Sequence, residues 1–139
     1  MNRSSTDYIV VHCSATTSSM DIGAEEIRHW HKKRGWKDIG YHLVIRRGGT
    51  LENGRDLNVT GAHVYGHNHN SVAVCLIGGI DDTGKAENNF TDAQFDTLRN
   101  VIDEMQARYP GAQLMGHRDF PEVAKDCPSF DVREWYGKQ

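Results

Sequence analysis

With 139 residues, 37% of them hydrophobic and 25% charged, the chain has the composition of one globular domain spanning 1–139, long enough to bury roughly two-thirds of its extended-chain surface. A formal charge of −3 at pH 7 supplies no basic field, which argues against direct nucleic-acid binding through phosphates. No apolar run approaches the ~18 residues of a membrane span, and the opening Met1–Asp7 lacks the apolar core of a signal peptide, so the expectation is a protein kept in the cytoplasm, with residues 1–6 as a flexible tail and a monomer as the default.

Tyr8-Ile9-Val10-Val11-His12-Cys13 is short and β-branched, the mark of a buried strand. Ser14 to Ser19 breaks it into a loop. A helix is expected over Ala24–Arg34, with Ala24, Ile27 and Trp30 or His31 at helical spacing and Gly35 as its stop. Tyr41–Arg46 reads as a second strand, turning through Arg47-Gly48-Gly49-Thr50 into a short third. Gly61–Asn70 is a polar loop with His63, His67 and His69. Val72–Ile77 is the most apolar strand and belongs in mid-sheet, covered on both faces. Gly78–Asn89 is loop. Thr91-Asp92-Ala93-Gln94 is a capping box, and behind it Phe95, Leu98, Ile102 and Met105 line one helix face up to Tyr109-Pro110-Gly111. Gln113-Leu114-Met115 is a last short strand leading to His117, and Asp131–Tyr136 a terminal helical turn or two. The sum is an α/β fold: a single domain with a central mixed β-sheet flanked by about three helices.

Three cysteines cannot all pair, so free thiols in a reducing compartment are the simpler reading. Cys75, inside an apolar strand, is a plain core residue. The segment from Gly116 to Pro128 is more unusual, because it gathers His117, Lys125 and Cys127 in a stretch whose Pro121 and Pro128 disfavour a helix. Imidazole and thiolate are both good zinc ligands, and a catalytic zinc takes three protein ligands with one position open. His12, at the end of a rigid strand, is the candidate third ligand; the alternative is a core histidine with a satisfied hydrogen bond. Side chains alternate along a strand, so if His12 faces the site, Cys13 faces the core.

The other polar clusters read more plainly. His29 and His31 lie two apart on a helix and do not share a face, which suits surface or partly packed residues. His67-Asn68-His69 has the look of a chelating loop, but such clusters more often solvate a turn. Asp81-Asp82 lacks the further oxygen ligands that calcium requires.

Several separate stretches carry a family resemblance. Val11-His12-Cys13-Ser14-Ala15-Thr16, Trp36-Lys37-Asp38-Ile39-Gly40-Tyr41-His42, Gly54-Arg55-Asp56, Gly78-Gly79-Ile80-Asp81-Asp82 and Lys125-Asp126-Cys127-Pro128-Ser129-Phe130-Asp131 resemble zinc-dependent N-acetylmuramoyl-L-alanine amidases. This is the fold shared with peptidoglycan recognition proteins, and the likeness is strongest to the phage T-seven lysozyme (endolysin) type. The resemblance runs from Asp7 to about Trp135. It implies one Zn2+ per chain on His12, His117 and Cys127, a catalytic tyrosine at Tyr41 and a catalytic lysine at Lys125. The sequence departs from the nearest type in the wider spacing of His117 and Cys127, where Arg118-Asp119-Phe120 looks more like the broader family.

The implied substrate is bacterial peptidoglycan, cut between N-acetylmuramic acid and L-alanine, with lysis of the host cell as the result. A thiolate ligand weakens the zinc as a Lewis acid, so the expected role of Lys125 is to place an ammonium on the developing oxyanion, and that of Tyr41 to orient the attacking water. No His-Glu-x-x-His is present, and Glu52 is the nearest candidate general base. One rival is a non-catalytic peptidoglycan-binding module; the presence of Cys127 disfavours it, because such relatives typically lose that cysteine. The resemblance also implies a second role, binding and inhibiting the phage RNA polymerase. A third possibility, a closed structural zinc site, would need His42 or His63 as fourth ligand. A cytoplasmic phage enzyme would need help such as a holin to reach the wall.

Overall fold

Strand and helix form close to where residue pattern and capping place them. The computed structural model describes residues 1–123 and 126–137. In chain order the elements are β1 (Tyr8–Cys13), α1 (Ala24–Lys33), β2 (Leu43–Ile45), β3 (Leu51–Asn53), β4 (Ser71–Leu76), α2 (Asp92–Arg108), β5 (Gln113–Gly116) and α3 (Val132–Gly137). The strands make one mixed sheet in the order β3-β2-β4-β1-β5. All neighbours are parallel except the β2–β3 hairpin. The expected α/β domain, a mixed sheet with three helices, is what the chain adopts. No helix among the described residues is long and apolar enough to cross a membrane.

β4 is buried along its whole length in mid-sheet, as a strand without polar alternation must be. β2 is shorter than the expected Tyr41–Arg46, because the carbonyls of Tyr41 and His42 accept from Arg55 N and Gly54 N rather than from a neighbouring strand. α1 ends when Arg34 caps it and Gly35 takes φ +93°, the left-handed conformation that favours glycine.

Alternation divides the sheet's two faces. Ile9, Val11, Val72, Val74 and Leu76 pack against Leu98, Val101, Ile102 and Met105 of α2. On the other face Val44, Cys75 and Ile77 meet Ala24 and Ile27 of α1, while Val10 packs on Val64 and Phe120. Cys75 is fully buried there, a plain core residue.

The first six residues, expected as a tail, are tied down. Arg3 N donates to Asn58 O and Ser4 N to His69 O, and the Arg3 guanidinium donates to Leu57 O and stacks over Tyr109.

Candidate functional site

His12 belongs to the even-numbered set of β1, so it projects on the α1 face, where it is 1% exposed. His117 is the first residue after β5, the strand parallel to β1 on its outer side. The loop holding Cys127 is pulled onto this end of the sheet by Arg118 N donating to Cys127 O (2.8 Å) and Ser129 Oγ donating to Gly79 O (2.8 Å). Residues distant in sequence thereby converge. One ligand atom each from His12, His117 and Cys127 lies within 4.8 Å of the others, the one such group of three among the described residues. The His12 and His117 rings are 4.4 Å apart between centroids. Two imidazoles and a thiol suit zinc, whose tetrahedral bonds would hold such atoms roughly 3.5 Å apart.

Cys13 is buried on the opposite side of β1, against Gly79, as alternation requires. Yet it is not remote from the site, for its amide donates to Cys127 Sγ at 3.1 Å. The two thiols also touch, and this contact draws Cys13 down to about 7 while, together with burial, it holds Cys127 above the ordinary thiol range. The pair therefore gives up one proton readily and resists losing a second.

Tyr41 borders the same floor, its ring 5.1 Å from that of His12. Burial first, and the surrounding thiols second, push its phenol well up, so it stays a hydrogen-bond donor across the physiological range. Lys125, the expected catalytic lysine, lies outside the described residues.

Glu52 is not part of this site. Its Oε1 accepts from Ala24 N at 2.8 Å, and its Oε2 lies 3.6 Å from Arg46. It caps the start of α1, where a carboxylate meets unpaired N–H groups, and does not line the cleft. The suggested fourth ligands are also committed elsewhere. His42 donates from Nε2 to Val59 O (2.8 Å) and accepts at Nδ1 from Ala73 N (3.0 Å). His63 bonds His12 Nε2 through Nδ1 and Ser71 Oγ through Nε2, each at 2.9 Å. Desolvation lowers His63 well below the ordinary histidine range, so it is neutral. Among the described residues three side chains, His12, His117 and Cys127, could serve as ligands, and they lie at the base of a cleft.

Two residues are more central than their sequence context suggested. His31, expected as surface or partly packed and as one of two options for the helix's apolar spacing, is 6% exposed. Its Nδ1 accepts from Gly40 N at 2.9 Å, which anchors the peptide leading into Tyr41. Its i, i+4 spacing from Ile27 was the available signal. Gly40 permits a close approach, since a Cβ there would sit 2.1 Å from Ala62 O; this brings the loop carrying His63 against the site. Asn68, from the His-Asn-His cluster, organises that loop by accepting from the amides of His63 and Val64. The Asp81 carboxylate likewise closes its own turn on Thr83 and Lys85.

Above the floor opens a cleft of about 450 Å3, walled by Trp30, Trp36, Tyr65 and Arg34. Tyr65 is 89% exposed and both tryptophans are more than one-third exposed. An open groove with aromatic walls and convergent polar groups is the form of a site for an extended, partly polar ligand.

The profile of the N-acetylmuramoyl-L-alanine amidase family matches residues 2–130. The endolysin of Escherichia phage T7 is 54% identical over 137 residues, covering 98% of this chain and 89% of its own length. Among solved structures, the N-acetylmuramoyl-L-alanine amidase LysC from Clostridium intestinale superposes with a TM-score of 0.80 at 27% identity, over 94% of this chain and 82% of that one. Drosophila PGRP-LB superposes with a TM-score of 0.76 at 27% identity, over 92% and 78%.

Proposed function

The chain belongs to the N-acetylmuramoyl-L-alanine amidase family, and on that premise we propose that it hydrolyses the amide joining N-acetylmuramic acid to L-alanine in bacterial peptidoglycan, using zinc held by His12, His117 and Cys127. The observation that carries this reading is the meeting of those three ligand atoms, within 4.8 Å of one another, at the floor of the aromatic cleft. Bound there, zinc would supply a Lewis acid for the scissile carbonyl and would acidify water.

The chain's own groups supply the rest. Trp30, Trp36 and Tyr65 offer flat apolar surface to the sugar and peptide stem. Tyr41, kept protonated by its surroundings, would orient the attacking water from the edge of the floor. The Cys13 amide, by donating to Cys127 Sγ, stabilises negative charge on that sulfur. Lys125 is assigned on resemblance alone: its ammonium would meet the oxyanion as charge develops. Glu52 has no role in proton transfer, since its carboxylate caps α1.

Polymerase binding, the other role implied by the resemblance, is a separate proposal. It requires a face away from the cleft, and a pull-down with a single-subunit phage polymerase at micromolar protein tests it.

The amidase reading is tested by measuring zinc content together with release of new N-terminal L-alanine from purified peptidoglycan, for the wild type and Cys127→Ser. The expected result is one zinc per chain and active hydrolysis, with turnover falling by at least ~10³-fold in the variant. Stoichiometric zinc without cleavage would make the protein a peptidoglycan-binding module. Cleavage without zinc would remove the metal from the reaction.

A further inference from the structure

A hydrogen-bond chain leads away from the site, and its far end orders the donors and acceptors along it. The Ser71 hydroxyl donates to His67 O at 2.7 Å. A carbonyl oxygen accepts only, so the single hydroxyl proton is committed there. Ser71 Oγ must then accept from His63 Nε2, 2.9 Å away. With its ring proton on Nε2, His63 presents Nδ1 as the acceptor. The group 2.9 Å from that lone pair is His12 Nε2, which must be the donor. A neutral imidazole with its proton on Nε2 carries its lone pair on Nδ1.

We propose that His63, anchored by Ser71, is a positioning residue that holds His12 as the Nε2–H tautomer and so makes Nδ1 its metal-binding nitrogen. The sequence provides this device through the loop before β4. Asn68 clamps the His63 and Val64 amides, and Ser71 opens β4 beside Tyr8 of β1. The spacing of His63 and Ser71 therefore lets one strand's entry loop orient a side chain on the neighbouring strand. His63 has no direct contact with the metal in this arrangement. Its effect is to preorganise one ligand, and outer hydrogen bonds of this kind typically change metal affinity about 10–100-fold.

The inference rests on the metal reading above, and two measurements separate the failure of each. The first needs no metal: in ¹⁵N-histidine-labelled protein stripped with a chelator, two-dimensional ¹⁵N–¹H correlation spectra report which His12 nitrogen carries the proton. Nε2–H is expected, and Nδ1–H would overturn the proposal. The second is zinc affinity by competition with a chromophoric chelator, for the wild type, His63→Ala and His63→Asn. His63→Ala is expected to bind zinc about 10–100-fold more weakly. His63→Asn is expected to recover most of that loss, because Asn Oδ1 is bonded to Cγ as His Nδ1 is and can accept the same proton. Wild-type affinity in a folded His63→Ala protein would overturn the proposal, as would an asparagine variant no better than alanine. If His63→Ala does not fold, the tautomer and the asparagine variant decide. Failure of the wild type itself to bind zinc would refute the metal reading, while the tautomer would still be decided by the spectra.

Discussion

The two faces of the sheet solve different problems. Against α2, the face is built from Ile, Val, Leu and Met in continuous contact, and the helix announces itself by period and cap. Against α1 and the cleft, the same strands carry His12, and buried His31 and His42 stand beside them. Each of those rings is held by specific backbone or side-chain partners. Apolar packing is tolerant of detail and stabilises the fold. The histidine face buries apolar groups too, Val44, Cys75 and Ile77 against Ile27, but its buried rings depend on their hydrogen bonds being made. Apolar packing thus supports both sides while the chemistry is confined to one, a separation that experiment can break.

Acid attacks the histidine face first and gives the largest change in stability. Burial lowers both His31 and His42 from the ordinary 6.5 to about 4. As pH falls, the unfolded chain protonates both rings near 6.5, while the folded chain refuses the protons until about 4. Their stabilisation is therefore complete above pH 6.5 and erodes between those two values, by about 1.4 kcal/mol per ring per pH unit. Urea unfolding at pH 7 and pH 5 should differ by about 4 kcal/mol for the pair. A midpoint that does not move would show that the fold accepts these protons and that the rings are not held neutral.

Ile102→Ala attacks the opposite face. The side chain is fully buried in the α2 layer, so its truncation should cost about 3 kcal/mol through lost burial and a residual cavity. Turnover per folded molecule should be unchanged, because the residue is on the far side of the sheet from the cleft. Urea midpoints and peptidoglycan hydrolysis measured on the same preparation test this. If turnover collapses at a temperature where the variant is still folded, the two faces are mechanically coupled.

The α2 face was readable from sequence because periodicity, burial and capping all point the same way there. Strand β1 appeared with its expected ends, and the terminal helix to within a residue. Ligand convergence was only partly readable. His12, His117 and Cys127 have no compact spacing, so the resemblance carried much of that assignment. What escaped is the set of contacts decided by loop closure. Glu52 is a carboxylate of a type suited to proton transfer, but the β2–β3 hairpin delivers it to α1's N-terminus. His63 sat in a polar loop with nothing in its spacing to distinguish it, and only the approach of that loop to β1 reveals its partner. The N-terminal residues gave no pattern at all, and are held through backbone bonds together with the Arg3 guanidinium on Leu57 O and over Tyr109.

The smallest expected effect lies where the two faces meet, at the start of α2. Thr91 Oγ1 accepts from Gln94 N (3.1 Å) and donates to Arg47 O (2.6 Å), while Gln94 Oε1 accepts from Thr91 N (2.9 Å). The capping box seen in the sequence is therefore present, but Gln94 does more than close it. Fully buried, it donates from Nε2 to Ile45 O and Ile77 O, the carbonyls where β2 and β4 leave the sheet. Thr91→Ala removes one cap and leaves the Gln94 amide group in place, so about 1 kcal/mol should be lost, with Thr91→Ser recovering most of it. Gln94→Ala should cost more, since it removes one of two donors from each of the buried Ile45 and Ile77 carbonyls as well as breaking the cap. Urea midpoints of the three variants test the order. Equal losses for Thr91→Ala and Gln94→Ala would mean that Gln94 acts only as a cap and that the helix and strand ends are held together by packing alone.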